Sequence, residues 1–318
     1  MIGMATGVLA AAAGRTGVIS LDAATVLLQW SVGGLAFLWV TTRHREVGLG
    51  YGWLLRGTYA LLAGVGAVAG LRYGGPRLRT VAAVVLTIAT MATLAVSIVR
   101  KRAGVAGQRT EHDRRSERVA AMTGIERAGR AEEPERRFDT DAATDTPAVG
   151  PEFPPVLDLV APALGVGGLL VAGWTSAHSA PDRLLAVARV VTGAAFLGAV
   201  TDAMLLGHWY LVQPGLPRRR LLELVRWLGW VWPVEVALLL VPTGMFSVFS
   251  GSIDDGYRGM LGWFWIACAV TTIGLVFVTR AALRERAYSA VMAATGLLYL
   301  AILTAFGTDL VARAVLAG

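Results

Sequence analysis

The sequence predicts an all-α integral membrane protein, a polytopic bundle of about eight transmembrane helices. Hydrophobic residues make up 55% of the 318 residues and charged residues only 16%, and the mean hydropathy is +0.58. The apolar residues occur in runs of about twenty, the length that a helix needs to cross a bilayer core of roughly 30 Å. These runs lack the alternation of polar and apolar residues that a transmembrane barrel requires.

The apolar runs define the predicted spans and divide the chain into three parts. The spans lie at about 23–42, 51–71, 79–100, 154–177, 184–212, 221–243, 260–280 and 287–312. Three belong to an N-terminal membrane block at 1–100 and five to a C-terminal membrane block at 153–318. The segment 101–152 between them is rich in Arg, Glu and Asp and cannot bury a core. It is predicted to be a disordered cytoplasmic linker.

The arginines predict the orientation of the bundle. Most basic residues follow the first, third, fifth and seventh spans: Arg43, Arg45, Arg100, Lys101, Arg102, Arg218, Arg219, Arg220, Arg280, Arg284 and Arg286. Loops rich in Arg and Lys stay on the cytoplasmic side of a membrane. These loops are therefore predicted to be cytoplasmic and both termini to lie outside a cell membrane. The net charge of +7 is interpreted as this topology signal, and no nucleic-acid partner is predicted.

The composition excludes several classes of protein. A chain this apolar is not a soluble enzyme. Cys268 is the single cysteine, so neither a disulfide framework nor a thiolate metal site forms within one chain. Lys101 is the only lysine and lies in the charged segment, which excludes a buried Schiff base among the spans. The composition weighs against an enzyme but leaves that class open, and neither a metal nor a cofactor is predicted.

Ionisable side chains inside the spans are the candidate functional residues, because each costs several kcal/mol in lipid unless it is paired or hydrated. Asp202 in the fifth span and Glu235 in the sixth lie at depths that differ by about one to two helical turns. We predict that they form a proton- or cation-coupling pair; the alternative is a structural role, in which each accepts separate hydrogen bonds from Thr and Trp side chains. His208, near the cytoplasmic end of the fifth span, is predicted either to relay protons with Asp202 or to belong to an interfacial aromatic belt.

Two further pairs of residues have alternative interpretations. Arg189 and Asp309 fall near the outer ends of their spans and are predicted to form a structural ion pair between helices. His44 and His208 both lie on the predicted cytoplasmic side, so this pair is the one way in which the chain would hold a haem. The alternative for His44 is a solvated basic cluster.

A short pattern occurs twice in the C-terminal block. Its copies are Thr192-Gly193-x-x-Phe196-Leu197-x-x-x-Thr201 and Thr295-Gly296-x-x-Tyr299-Leu300-x-x-x-Thr304. They lie in spans of opposite predicted direction, as the inverted repeats of transporters do. Pro233, two residues before Glu235, fits the broken helices of such proteins.

These observations favour a proton- or cation-coupled transporter of a small solute. The alternative is a membrane anchor or subunit of a larger respiratory complex that uses quinone or haem. A third hypothesis is a lipid-modifying enzyme built on Asp254 and Asp255. The predicted partner is the lipid bilayer, with a membrane complex or a second copy of the chain as further options.

Overall fold

The computed structural model describes residues 22–44, 46–100, 153–213, 216–240, 244–249, 257–285 and 287–317. The predicted linker at 101–152 and the acidic pair Asp254 and Asp255 lie outside these ranges. In the described part every regular element is a helix and no strand occurs. The all-α prediction is therefore confirmed.

The described ranges contain nine helices. They are α1 Ala23–Thr42, α2 Leu49–Tyr73, α3 Arg77–Val99, α4 Leu157–Thr175, α5 Ala180–Val212, α6 Arg219–Leu240, α7 Phe246–Phe249, α8 Met260–Arg284 and α9 Tyr288–Ala317. Seven of them, all except α6 and the single turn α7, are long and apolar enough to cross a membrane. The chain is thus a multi-pass helical membrane bundle by length and composition.

Helix α6 corresponds to the predicted span at 221–243 and differs from the others. Its 22 residues are long enough to cross a bilayer core. They include Arg219, Arg220, Glu223, Arg226 and Glu235, which keep α6 out of the group of seven. Three of these residues lie at the helix start, where they join ion pairs with the α1–α2 loop region, and Glu235 is buried.

Helix α5 is the centre of the bundle and contacts α1, α4, α6 and α9. Two hydrogen bonds show that α1 and α5 run in parallel. Gln29 in α1 bonds the carbonyl of Val190 near the start of α5, and Gly48 beyond α1 bonds Gln213 beyond α5. The predicted N-terminal and C-terminal blocks therefore pack into one bundle.

The backbones of α1 and α5 touch at two glycines. A Cβ on Gly33 would lie 1.7 Å from the Ala194 carbonyl oxygen, and one on Gly198 would lie 2.2 Å from the Gly33 carbonyl carbon. Only glycine fits at this crossing, as is common where membrane helices pack closely. The crossing fixes α1 against the part of α5 that lies just before Asp202.

Helix α9 runs antiparallel to α5. Thr295, near the start of α9, donates a hydrogen bond to the Gly207 carbonyl near the end of α5. Asp309, fourteen residues later in α9, lies instead beside Gly193. The α1–α2, α5–α6 and α8–α9 loops consequently lie at the same end of the bundle, which we name the charged end.

Candidate functional site

Asp202 lies in the middle of the bundle and is 0% exposed. Tyr59 of α2 donates a hydrogen bond from its hydroxyl to Oδ1 of Asp202. Tyr51, two turns earlier in α2, directs its hydroxyl to the Asp202 carbonyl oxygen at 3.5 Å. Both tyrosines are fully buried. Asp202, Tyr59 and Tyr51 are named the Asp202 site from here on.

Small and polar residues of α1 shape the surroundings of the Asp202 site. A Cβ on Gly34 would lie 2.0 Å from the Tyr59 ring. Only glycine at this position leaves space for the Tyr59 side chain to reach Asp202 on α5. Trp30 donates its indole N–H to Oγ1 of Thr201 at 2.9 Å. Thr201 in turn donates to the Leu197 carbonyl. These contacts position the α5 backbone next to Asp202.

No cation balances the Asp202 carboxyl group within the described ranges. None of the ion pairs found there includes Asp202, and its Oδ2 atom has no hydrogen-bond partner there. An isolated buried carboxylate costs far more than a buried neutral carboxyl group. The chemistry of this site is therefore that of one carboxyl group held in an apolar interior by a tyrosine.

A second buried region contains charges of both signs. Arg189 in α5, Glu235 in α6, and Asp309 and Arg313 in α9 are each at most 2% exposed. Asp309 accepts a hydrogen bond from Nε of Arg313 at 2.8 Å, one helical turn away. Nε of Arg189 donates to the Leu238 carbonyl at 2.8 Å. These four charged residues are named the arginine–carboxylate cluster.

Gln29 and Gly193 complete the surroundings of this cluster. A Cβ on Gly193 would lie 2.8 Å from Nε2 of Gln29, 3.1 Å from Nη2 of Arg313 and 3.3 Å from Oδ1 of Asp309. Glycine at this position therefore lets polar side chains from α1 and α9 meet over α5. Leu239, one turn beyond Glu235, and Ala312, one turn beyond Asp309, belong to one buried apolar cluster, so Glu235 and Asp309 lie at the same level of the bundle.

The structure does not bring Asp202 and Glu235 together. Glu235 lies at the level of Asp309, and Asp309 lies beside Gly193, whereas Asp202 is nine residues further along α5. At 1.5 Å per residue, about 14 Å along the helix axis separates the two levels. The predicted coupling pair thus occupies two separate regions.

The predicted Arg189–Asp309 pair falls within the arginine–carboxylate cluster. Among their hydrogen bonds, Asp309 accepts from Arg313 and Arg189 donates to the Leu238 carbonyl near the end of α6. Arg313 lies on the same helix as Asp309, one turn away, and so reaches its carboxylate without crossing a helix interface. The cluster as a whole still joins α5, α6 and α9.

The two histidines of interest lie near the charged end. His208 is exposed, and its Nδ1 lies 3.1 Å from the Tyr299 hydroxyl. It points away from buried Asp202, as the six-residue spacing on a helix requires. Nε2 of His44 accepts a hydrogen bond from Nε of Arg43 at 3.0 Å. A haem held by His44 and His208 stays a prediction from the sequence.

Ion pairs tie two parts of the charged end together. Glu46 in the α1–α2 loop bonds Arg219 and Arg220, and Glu223 bonds Arg43 and Arg220. Burial acts to raise the pKa of Glu46, but hydrogen bonds from Arg220 and Arg219 outweigh it, so the pKa lies below its ordinary value. This network holds the start of α6 against the end of α1.

Several buried polar residues are not among those that the sequence predicts. Tyr59, Gln29 and Arg313 are parts of the two regions, and Arg56 forms a buried bidentate ion pair with Asp158. Arg56, Gln29 and Arg313 carried a usable signal, since each is a polar residue within or at the end of an apolar run. Tyr59 carried little, because tyrosine is common in membrane helices.

The fold and these buried regions define a helical integral membrane protein with ionisable groups in its interior. Among the described residues no group of three His, Cys, Asp or Glu side chains is placed to hold a metal ion. No protein-family model matches the chain, and neither a curated protein nor a solved structure matches it.

Proposed function

We propose that this protein is a proton-coupled membrane transporter of a small solute, with Asp202 as the residue that takes up and releases the proton. The observation that carries the proposal is the complete burial of Asp202 with Tyr59 as its one side-chain hydrogen-bond partner in the described chain. Membrane helices rarely contain such a group, and where they do it commonly belongs to a proton or ion pathway.

The proposal requires the buried carboxyl group of Asp202 to be protonated in the resting protein. Neutralising the carboxyl group with a proton costs less than burying it as an anion, because no cation is near it in the described structure. Oδ1 accepts the Tyr59 hydroxyl, which leaves Oδ2 as the atom that holds the proton. Release of that proton requires water to reach Asp202. A change in packing around α5 that wets the site would therefore couple proton transfer to movement of the bundle.

The orientation is part of the proposal. The basic residues of the charged end support its placement in the cytoplasm by the positive-inside rule. Asp202 then lies ten residues from the cytoplasmic end of α5, or about 15 Å. His208 would anchor that end of α5 at the membrane interface together with Tyr299.

Proton flux in proteoliposomes tests the function. The purified chain is reconstituted with a pH-sensitive dye inside, and sugars, amino acids, organic cations and organic anions are added in turn. We expect one solute class to change the internal pH with the wild-type protein and not with Asp202→Asn. Asp182→Asn is the matched control, since Asp182 lies at the start of α5 near the opposite surface, and it should retain the flux.

Two outcomes would overturn the proposal. One is equal solute-dependent flux in wild type and Asp202→Asn. The other is the absence of solute-dependent pH change across the whole panel with folded wild-type protein. The second outcome would favour the role of a subunit or anchor in a larger complex.

A further inference from the structure

The arginine–carboxylate cluster has more hydrogen-bond acceptors than donors. Both carboxylate oxygens of Glu235, Oδ1 of Asp309 and Oε1 of Gln29 have no partner in the described chain, and neither has Nη2 of Arg313. A buried polar atom without a partner loses its hydration and gains no hydrogen bond in return. Four acceptors and one donor in a single buried place therefore indicate that hydrogen is missing from the ionised form of the cluster.

The two carboxyl groups lie at the same buried level of the bundle, and both carry oxygens without a partner in the described chain, which shows where that hydrogen fits. Two carboxylates only accept hydrogen bonds, so Glu235 and Asp309 cannot bond each other while both are ionised. One proton converts a carboxylate into a donor. A bond from Glu235 to Oδ1 of Asp309 would satisfy an oxygen of each residue and leave Oδ2 of Asp309 on Arg313.

The hydrogen bonds of the cluster favour a proton on the pair. Nε of Arg313 bonds Oδ2 of Asp309, and Nε of Arg189 bonds the Leu238 carbonyl. Both oxygens of Glu235 have no hydrogen-bond partner in the described chain. A buried carboxyl group without a hydrogen bond is favoured in its protonated form, because the ionised form loses its hydration. One proton shared by Glu235 and Asp309 therefore suits the cluster better than none.

We propose that Glu235 and Asp309 hold one proton between them, forming a second proton-binding site about 14 Å from Asp202 along α5. The pair consists of Glu235 from α6 and Asp309 from α9. The other charged groups of the cluster are Arg189 from α5 and Arg313 from α9. Helix α1 contributes the uncharged Gln29. The site goes beyond the proposed function, since it requires neither Asp202 nor solute movement.

Infrared spectroscopy of the purified protein tests this site. Protonated carboxyl groups give a C=O stretching band that shifts in D2O and that ionised carboxylates lack. At neutral pH we expect two such bands. Glu235→Gln should remove one of them and keep the other, and Asp202→Asn should remove the other. Asp309→Asn should remove the same band as Glu235→Gln, because the proton is shared.

The control for the infrared experiment is a buried aspartate that is paired with an arginine. Asp158→Asn changes an aspartate that is just as buried but is paired with Arg56, and it should keep both bands. A spectrum in which Glu235→Gln and Asp309→Asn each retain every wild-type band overturns the second site. That result would leave the proposed role of Asp202 unaffected, whereas loss of no band in Asp202→Asn would count against Asp202 alone.

Discussion

Asp202 and Asp309 are equally buried, each 0% exposed, yet they stand in different electrostatic surroundings. Asp309 bonds Arg313 and lies in a cluster with a second arginine and a second carboxyl group. Asp202 bonds a tyrosine hydroxyl. A carboxylate among cations is stable as an anion as long as its partners stay in place. A carboxyl group beside a neutral hydroxyl is stable in the protonated form, which makes it suited to exchange a proton.

The largest expected effect is on the stability of the arginine–carboxylate cluster. Arg313→Gln leaves Asp309 without its cation and should lower the free energy of unfolding by about 3–5 kcal/mol. Asp202→Asn, which replaces a protonated carboxyl group by an amide of similar shape, should lower it by less than about 1 kcal/mol. Denaturant unfolding in detergent measures both. Similar losses in the two variants would remove the distinction between the regions.

Packing at the Asp202 site should give the next largest effect. The Cβ of Gly34→Val would lie 2.0 Å from the Tyr59 ring and displace it. We expect a loss of about 1–3 kcal/mol in the free energy of unfolding, as for other overpacked interiors. Gly57→Val is the matched control on α2, because a Cβ there meets no atom within 4 Å. An equal loss in both variants would show that the close approach at Gly34 is unimportant.

Removing the tyrosine hydroxyl should have a smaller effect. Tyr59→Phe keeps the ring and leaves Oδ1 of Asp202 without its donor, so it should cost about 1–2 kcal/mol of unfolding free energy. In Asp202→Ala, where the Tyr59 hydroxyl has lost its acceptor, the same change should cost less. A double-mutant cycle measures the difference. Strictly additive losses would contradict a direct Tyr59–Asp202 bond.

The smallest expected effect lies at the charged end and depends on pH. Glu46→Gln should cost about 1 kcal/mol of unfolding free energy at neutral pH, because it breaks the bonds to Arg219 and Arg220. The pKa of Glu46 is lowered in the folded protein. Its contribution is thus present above the unfolded-state pKa and lost as the pH falls through the folded-state value. Unfolding curves of wild type and variant should converge in acid, and a gap that persists there would contradict the ion pairs.

The sequence predicts most of the fold because each apolar run is long and almost free of charge. The predicted 23–42 and the observed Ala23–Thr42 coincide. The region 221–243 is less regular, since the charges at the start of α6 form ion pairs at a helix end rather than lying in lipid. Hydropathy alone does not place the start of α6, which depends on these ion pairs, or the start of α5, which depends on the loop before it.

The sequence also identifies single buried groups better than their partners. Asp202 and Glu235 stand out because a carboxyl group in an apolar run is costly. Their assignment to a common pair depended on the axial register of α5 and α6, which loop length does not determine. That register follows from contacts such as Gly33 with Ala194 and Arg189 with Leu238, and these emerge only when the helices pack.

The protonation of Asp202 in the folded protein can be measured from the protons that the chain releases on unfolding. The protein is unfolded in a weakly buffered detergent solution at neutral pH, and the protons released are titrated. An unfolded aspartate, with a pKa of about 3.9, is ionised under these conditions. We expect wild type to release about one proton per molecule more than Asp202→Asn. Equal release from both proteins would show that Asp202 is already ionised in the folded protein, contrary to its proposed role.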